Sequence, residues 1–231
     1  MSAGIEALLA LGDDRLVLGH RLSEWCGHAP ILEEDIALSN IGLDLLGQAA
    51  RFFELAGERE GQGRDADALA FLRDPTSYRN CLLVEQPNGD FAQTIVRQVL
   101  FDAAALPELE RLALGDDAGL AALARQAAKE TRYHARHTRD WFVRLGDGSD
   151  ESRRRMQRAL DALWLFTPEL YAGHAEIRAE LETLVEQATL QLPEDPSFPA
   201  TGGRRGVHTE HLDHLLSEMQ CVARAHPGAS W

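Results

Sequence analysis

Several things are scarce in this chain of 231 residues, and each shortage excludes something. There are three cysteines, Cys26, Cys81 and Cys221, far apart and without a Cys-x-x-Cys spacing. A disulfide framework or a zinc site needs paired, closely set thiols, so neither is expected and reduced thiols are the simple reading. Basic charge is short: 23 Lys and Arg stand against 37 Asp and Glu, a formal net charge of −14. Phosphate backbones and anionic lipid are bound through basic surface, so neither nucleic acid nor a membrane is expected as a partner. Such a balance builds a solvated acidic exterior, or a patch that docks a basic partner. Long apolar runs are missing too. The opening MSAGIEALLALGDD has no basic leader and reaches acid after a short apolar stretch, which suits neither a signal peptide nor a membrane span and gives a cytoplasmic reading. Gly-x-Ser-x-Gly, P-loop and Gly-x-Gly-x-x-Gly contexts do not occur, which removes local support for hydrolase and nucleotide-binding chemistry.

What is present is helix. Val and Ile are few beside Ala and Leu, a balance that favours helix, and the length suits one core, so a single domain over 1–231 is expected. A first helix over Ile5–Cys26 carries Leu8, Leu11, Leu18, Leu22 and Trp25 as its apolar stripe and ends at Gly27 and Pro30. His20, Glu24 and His28 form an i, i+4 row beside that stripe, readable as surface ion pairing. A second helix, Glu33 to about Ala56, opens on acid and repeats Leu38, Ile41, Leu45, Gln48, Phe52 and Leu55 at steps of three and four. Asp44 borders the seam, and Gly42 and Gly47 beside it suggest close helix packing. Gly57 to Gly89 breaks the pattern, apart from a short helix near Asp67–Leu72, and reads as a long crossover between two helical hairpins. A third helix, Asp90 to about Leu114, places Asp102 within the stripe Ile95, Val99, Leu106, Leu109 and Ala113, with Pro107 expected to kink it.

The fourth helix, Ala118–Leu145, poses the chemical question. Leu123, Ala127, Glu130, His134, His137 and Trp141 trace one inward stripe, and three of the six are ionisable. Buried charge needs partners. Further helices are expected over Glu151–Phe166, Ala172–Thr189 and His208–Ala225, with QLPEDPSFPATGGRRG as a loop.

Two hairpins joined by a crossover and carrying inward carboxylates are the layout of ferritin-like di-iron proteins: an all-α, ferritin-like four-helix bundle with additional C-terminal helices. Such a centre takes a Glu from each of two helices and a Glu-x-x-His from each of the other two. This chain offers Glu24, Asp44-x-x-Gly47, Asp102 and Glu130-x-x-Tyr133. Both histidines are missing, and His134 comes one residue late, about 100° around the helix. An iron pair is therefore not expected. The set Glu24, Asp44, Asp102, Glu130 and His134 reads as a degenerate metal-site network with a structural role, with His137, Gln48 and Tyr133 as candidate additions to the polar core. His211 and His214 beside Glu210 fail the zincin order His-Glu-x-x-His and read as interfacial or core histidines.

The stretches RLVLGHRLSEWCGHAPILEEDIALSNIGLDLLGQA, LLVEQPNGDFAQTIVRQ, KETRYHARHTRDWFVRLGDG and TGGRRGVHTEHLDHLLSEMQ resemble the C subunits of bacterial ring-1,2-phenylacetyl-CoA epoxidases, over nearly the whole chain. Leu170 to Pro199 departs from the resemblance, being shorter and less similar. The resemblance implies a non-catalytic, structural subunit of a monooxygenase of phenylacetate degradation. It would pair with a related catalytic A subunit holding the di-iron centre and the CoA thioester, with NADPH electrons delivered through a reductase subunit. No catalytic residue and no cofactor is then expected in this chain, with self-dimerisation open when the A subunit is absent. Two alternatives stand beside this one: an independent ferritin-like metal-binding oxidase, and a contribution to a CoA site at the subunit boundary.

Overall fold

The computed structural model describes residues 4–229. Among them the chain is all-α, with eleven α-helices and no strand, an organisation consistent with a ferritin-like helical bundle. The helices are α1 (Ile5–Ser23), α2 (Leu32–Glu60), α3 (Ala66–Phe71), α4 (Leu82–Glu85), α5 (Phe91–Ala113), α6 (Ala118–Gly146), α7 (Asp150–Leu163), α8 (Pro168–Tyr171), α9 (Ala175–Gln187), α10 (Glu210–Met219) and α11 (Cys221–Ala225). They fall into two compact units. The first takes the chain up to Pro87, Asp116–Leu123 and the part from Gly202 onward; the second takes Asn88–Gly115 and Ala124–Thr201.

In the first unit α1 and α2 form an antiparallel hairpin. Gly12 of α1 lies against the Phe53 ring, Gly19 faces Gly42, and Arg15 reaches Gln48, so small residues let the two axes approach along their length. Gly42 therefore packs as its sequence position suggests. Gly47 does not: a Cβ built there meets nothing within 4 Å. From Gly12 to Gly19 every residue of α1 is buried, Asp13, Asp14 and Arg15 included, so this stretch of the helix is enclosed on all sides. It stops at Ser23, three residues earlier than the stripe suggests, before a turn through Glu24–His28. α2 ends on Gly61 in the left-handed region (φ 68°), where its backbone N–H closes on Gly57 O.

The crossover begins with Asp65, whose side chain caps α3 by accepting from Ala68 N at 2.8 Å. It then runs through a 3-10 turn at Pro75–Ser77 into α4.

In the second unit α5 and the main part of α6 form the other antiparallel hairpin. Phe91 at the start of α5 meets Trp141 near the end of α6 edge to face (5.4 Å), and near the other end of α5 Glu110 pairs with Arg132 at 2.6 Å and Arg125 donates to Ala113 O at 3.0 Å. Asp90 caps α5 through Gln93 N, as its position ahead of the stripe suggests, and α5 runs unbroken through Pro107. α7 stops at Leu163 and hands over to a 3-10 turn, Trp164–Phe166. The sixth helix expected from the sequence starts later, at Ala175, because Gly173 takes a positive φ (85°) after α8.

Candidate functional site

The degenerate ligand positions fall in both units, Glu24 and Asp44 in the first and Asp102, Glu130 and His134 in the second. Glu24 is the C-cap of α1, its side chain 42% exposed and its Oε1 accepting from Arg21 at 2.8 Å. Because α1 ends at Ser23, the His20, Glu24, His28 row is cut by the turn, and His20 is partly enclosed, its pKa lowered by burial. Asp44 is half-buried on α2, one turn before the buried Gln48, which accepts from the enclosed Arg15 Nε at 2.8 Å while that guanidinium lies over the Phe52 ring. In the second unit Asp102 is buried on α5, and Gln98 Nε2, one turn back, donates to its Oδ1 at 2.9 Å.

On α6 the inward face is rotated from the stripe read off the sequence. Its buried members are Leu120, Ala121, Ala124, Ala127, Ala128, Thr131, His134, Ala135, Thr138, Phe142 and Gly146, so Thr131 and Thr138 take the places assigned to Glu130 and His137. The reason is steric: alanine and threonine let neighbouring atoms come close, while the longer Glu130, His137 and Trp141 lie at the flank, each half-buried. Glu130 Oε1 accepts from Gln126 Nε2 at 2.5 Å along that flank. His134 is fully enclosed. Tyr133, expected in the polar core, is instead 49% exposed, with the Arg136 guanidinium over its ring.

These residues do not fit an iron pair. By spacing Gly47 and Tyr133 are the positions that would supply the two imidazoles, but glycine has no donor atom and both positions are exposed rather than turned to an interior. Among the described residues no group of three or more His, Cys, Asp or Glu side chains is set to hold a metal ion.

The polar site that the fold does build lies elsewhere, in the first unit, and joins α1 and the crossover to the segment after Gly202. Asp13 receives both terminal nitrogens of Arg73 and the backbone N–H of Arg79 (2.7 Å). Asp14 receives Cys81 N at 2.7 Å and both terminal nitrogens of Arg204 at 2.9 and 2.7 Å. Glu85, fully buried, accepts Asn80 Nδ2 at 2.9 Å, His208 Nδ1 at 2.5 Å, and Thr209 N and Oγ1 at 2.9 and 2.6 Å. Arg21 adds its Nη2 to Glu85 O and His211 O at 2.8 and 3.1 Å. Gln220 then bridges Tyr78 Oη and Arg73 O.

Backbone makes this closeness possible. Gly203 lies so close to the Asn80 carbonyl that a Cβ there would collide, and Gly206, in the left-handed region at φ 77°, lies equally close to Thr76 O. Burial lowers the pKa of His208, but its hydrogen bond and charge contact with Glu85 outweigh that and leave it raised. Burial pushes the Tyr78 hydroxyl up to about 12, so it stays protonated and donates to Ala70 O at 2.5 Å.

Sequence reading misses this cluster. Asp13 and Asp14 read as the acid that closes an apolar run, GGRRG as a loop, and His208 as the start of a helix rather than a partner of Glu85. The available signals are two adjacent arginines between glycines in an acidic chain and two adjacent acids inside a leucine pattern. Chemically the cluster is saturated: each oxygen of Asp13, Asp14 and Glu85 already accepts at least one hydrogen bond, which suits it to holding chain segments together.

Of the three cysteines, Cys81 is buried and Cys26 and Cys221 are exposed, all as free thiols. No helix of the described residues is long and apolar enough to cross a membrane.

Two comparisons bear on what this arrangement is. Over 242 aligned residues the chain is 47% identical to the C subunit of 1,2-phenylacetyl-CoA epoxidase from Escherichia coli (strain K12), with 96% of this chain and 97% of that protein covered. The phenylacetic acid catabolic protein family matches it over residues 1–179 and 174–231, and the chain belongs to that family.

Proposed function

We propose that this chain is the structural C-type subunit of a phenylacetyl-CoA epoxidase, acting as one ferritin-like domain that supports a related catalytic subunit in phenylacetate degradation. The observation that carries the non-catalytic part is the donor set: glycine and an exposed tyrosine at Gly47 and Tyr133, where a di-iron centre needs histidines. The 47% identity to a protein named as the C subunit supports the placement in the epoxidase. In this reading Glu24, Asp44, Asp102, Glu130 and His134 descend from ligand positions and now serve the shape and polarity of their helices. The di-iron centre belongs to the catalytic A subunit, and NADPH electrons reach it through a reductase.

The test uses the purified full chain, alone and mixed with its catalytic homologue and reductase. Alone, it should carry far less than one iron per chain after growth with excess iron, and it should give no epoxide. With the homologue it should form a complex that survives size-exclusion chromatography. Two irons per chain, lost on Asp102→Ala and Glu130→Ala, would establish an independent ferritin-like oxidase instead.

A further inference from the structure

The outer face of α2 is apolar without any reason internal to the chain. Leu32, Ile36 and Leu43 fall at i, i+4 and i+11, within about 40° of one another around the helix, and are 72%, 54% and 66% exposed; Ile31, just before them, is 47% exposed. Single exposed leucines are ordinary, but an aligned row over three turns is the mark of a binding surface. The next turn on this face is Gly47, exposed and with open space where a Cβ would stand. Glycine weakens a helix interior, and here no neighbour within the chain requires it. What it provides is a flat stretch of backbone beside Leu43, onto which another helix can pack closely.

The charge around the row selects the occupant. Glu33 at one end and Glu54 and Glu58 at the other are exposed on the same face, against the single exposed base Arg51. In a two-fold self-dimer this face would meet itself and oppose acid to acid on chains that each carry −14. An apolar row with an acidic rim is instead complementary to an apolar helix face rimmed by Lys or Arg.

We propose that the outer face of α2, from Leu32 to Glu58, is the docking surface for a different protein chain that presents an apolar helix face with a basic rim. Resting on the function proposed above, that chain is the catalytic homologue. The row supplies the water-excluding centre, Gly47 the close approach, and the acidic rim the orientation and the speed of encounter.

The experiment measures the affinity of the full chain for the purified catalytic homologue, by titration calorimetry, for the parent and for Ile36→Glu, Leu43→Glu and the control Leu114→Glu, a leucine 88% exposed at the end of α5. Thermal melts of each variant check that the fold is kept. The expected result is a loss of affinity of about a hundredfold or more for Ile36→Glu and Leu43→Glu, as for central interface residues, with Leu114→Glu unchanged. Raising the salt should weaken the parent complex, and Glu33→Lys with Glu54→Lys should weaken it further while reducing that salt response. If Ile36→Glu and Leu43→Glu, folded as the parent, bind as tightly as it does, the α2 surface is wrong while the proposed function stands. A parent that does not bind the homologue removes both. A parent that forms a self-dimer abolished by the same substitutions makes the occupant a second copy and overturns the assignment.

Discussion

Both units enclose polar side chains in their helices, and they treat them differently. In the first, Asp13, Asp14 and Glu85 are matched by residues distant in sequence: Arg73 is 60 positions from Asp13, His208 is 123 from Glu85 and Arg204 is 190 from Asp14. In the second, the buried Gln98 and Asp102 lie one turn apart on α5 and hydrogen-bond each other. The Gln98–Asp102 bond, lying within one helix, does not by itself join distant segments. A pair that spans most of the chain makes a particular connection between segments compulsory, since the carboxylate alone is a buried charge.

The largest effect should come from breaking one distant pair. Arg73→Met leaves Asp13 enclosed without its guanidinium and removes the cover over the Tyr78 and Phe53 rings; a cost of about 3–5 kcal/mol is expected in urea unfolding. The double variant Asp13→Asn, Arg73→Met should recover part of that loss. Equal instability of the double and single variants would show that the rings, and not the stranded charge, carry the effect.

His134→Leu probes the other unit. His134 is fully buried on α6, and its replacement should cost about 1–4 kcal/mol, more than Glu130→Gln on the half-exposed flank. In epoxidase assays of the assembled complex, turnover should fall only in step with the amount of complex formed. A fall beyond that would place His134 in the chemistry.

The pH dependence separates the units again. The folded pKa of His208 lies above its ordinary value of 6.5, so the His208–Glu85 pair stabilises fully below about pH 6.5 and its contribution is lost as pH rises through the folded value. Melting temperature should therefore decline across that window in the parent, and His208→Gln should flatten the slope. An unchanged slope would mean that the imidazole stays neutral in the fold.

The smallest effect has the opposite sign. Gly47→Ala meets open space and should stabilise the isolated chain by about 0.5–1 kcal/mol, read as a higher melting temperature.

The sequence makes the two hairpins legible because their seams repeat at three and four, as Leu38, Ile41, Leu45 and Gln48 do, and because Asp90 announces the start of α5. The rotation of α6 is not legible: a stripe through Glu130 and one through Thr131 fit the same periodicity, and only the close approach allowed by alanine and threonine decides between them. The loss of ligands at Gly47 and Tyr133 is plain from spacing. The Asp13, Asp14 and Glu85 cluster is hidden because a charge inside a helical pattern reads as a solvated face, and its neutralising partner can lie almost the whole chain away in no fixed register.

That distance has a temporal side. Asp14 emerges early from the ribosome, and the arginine that neutralises it follows 190 residues later, a wait of about 10–40 s at ordinary synthesis rates. Over that interval Asp13 is matched by Arg73 after 60 residues, while Asp14 waits for its guanidinium, so the charge pairing of α1 is completed only when Arg204 has been made. The GGRRG segment thus supplies the last counter-charge that α1 receives, long after the helix itself has been made.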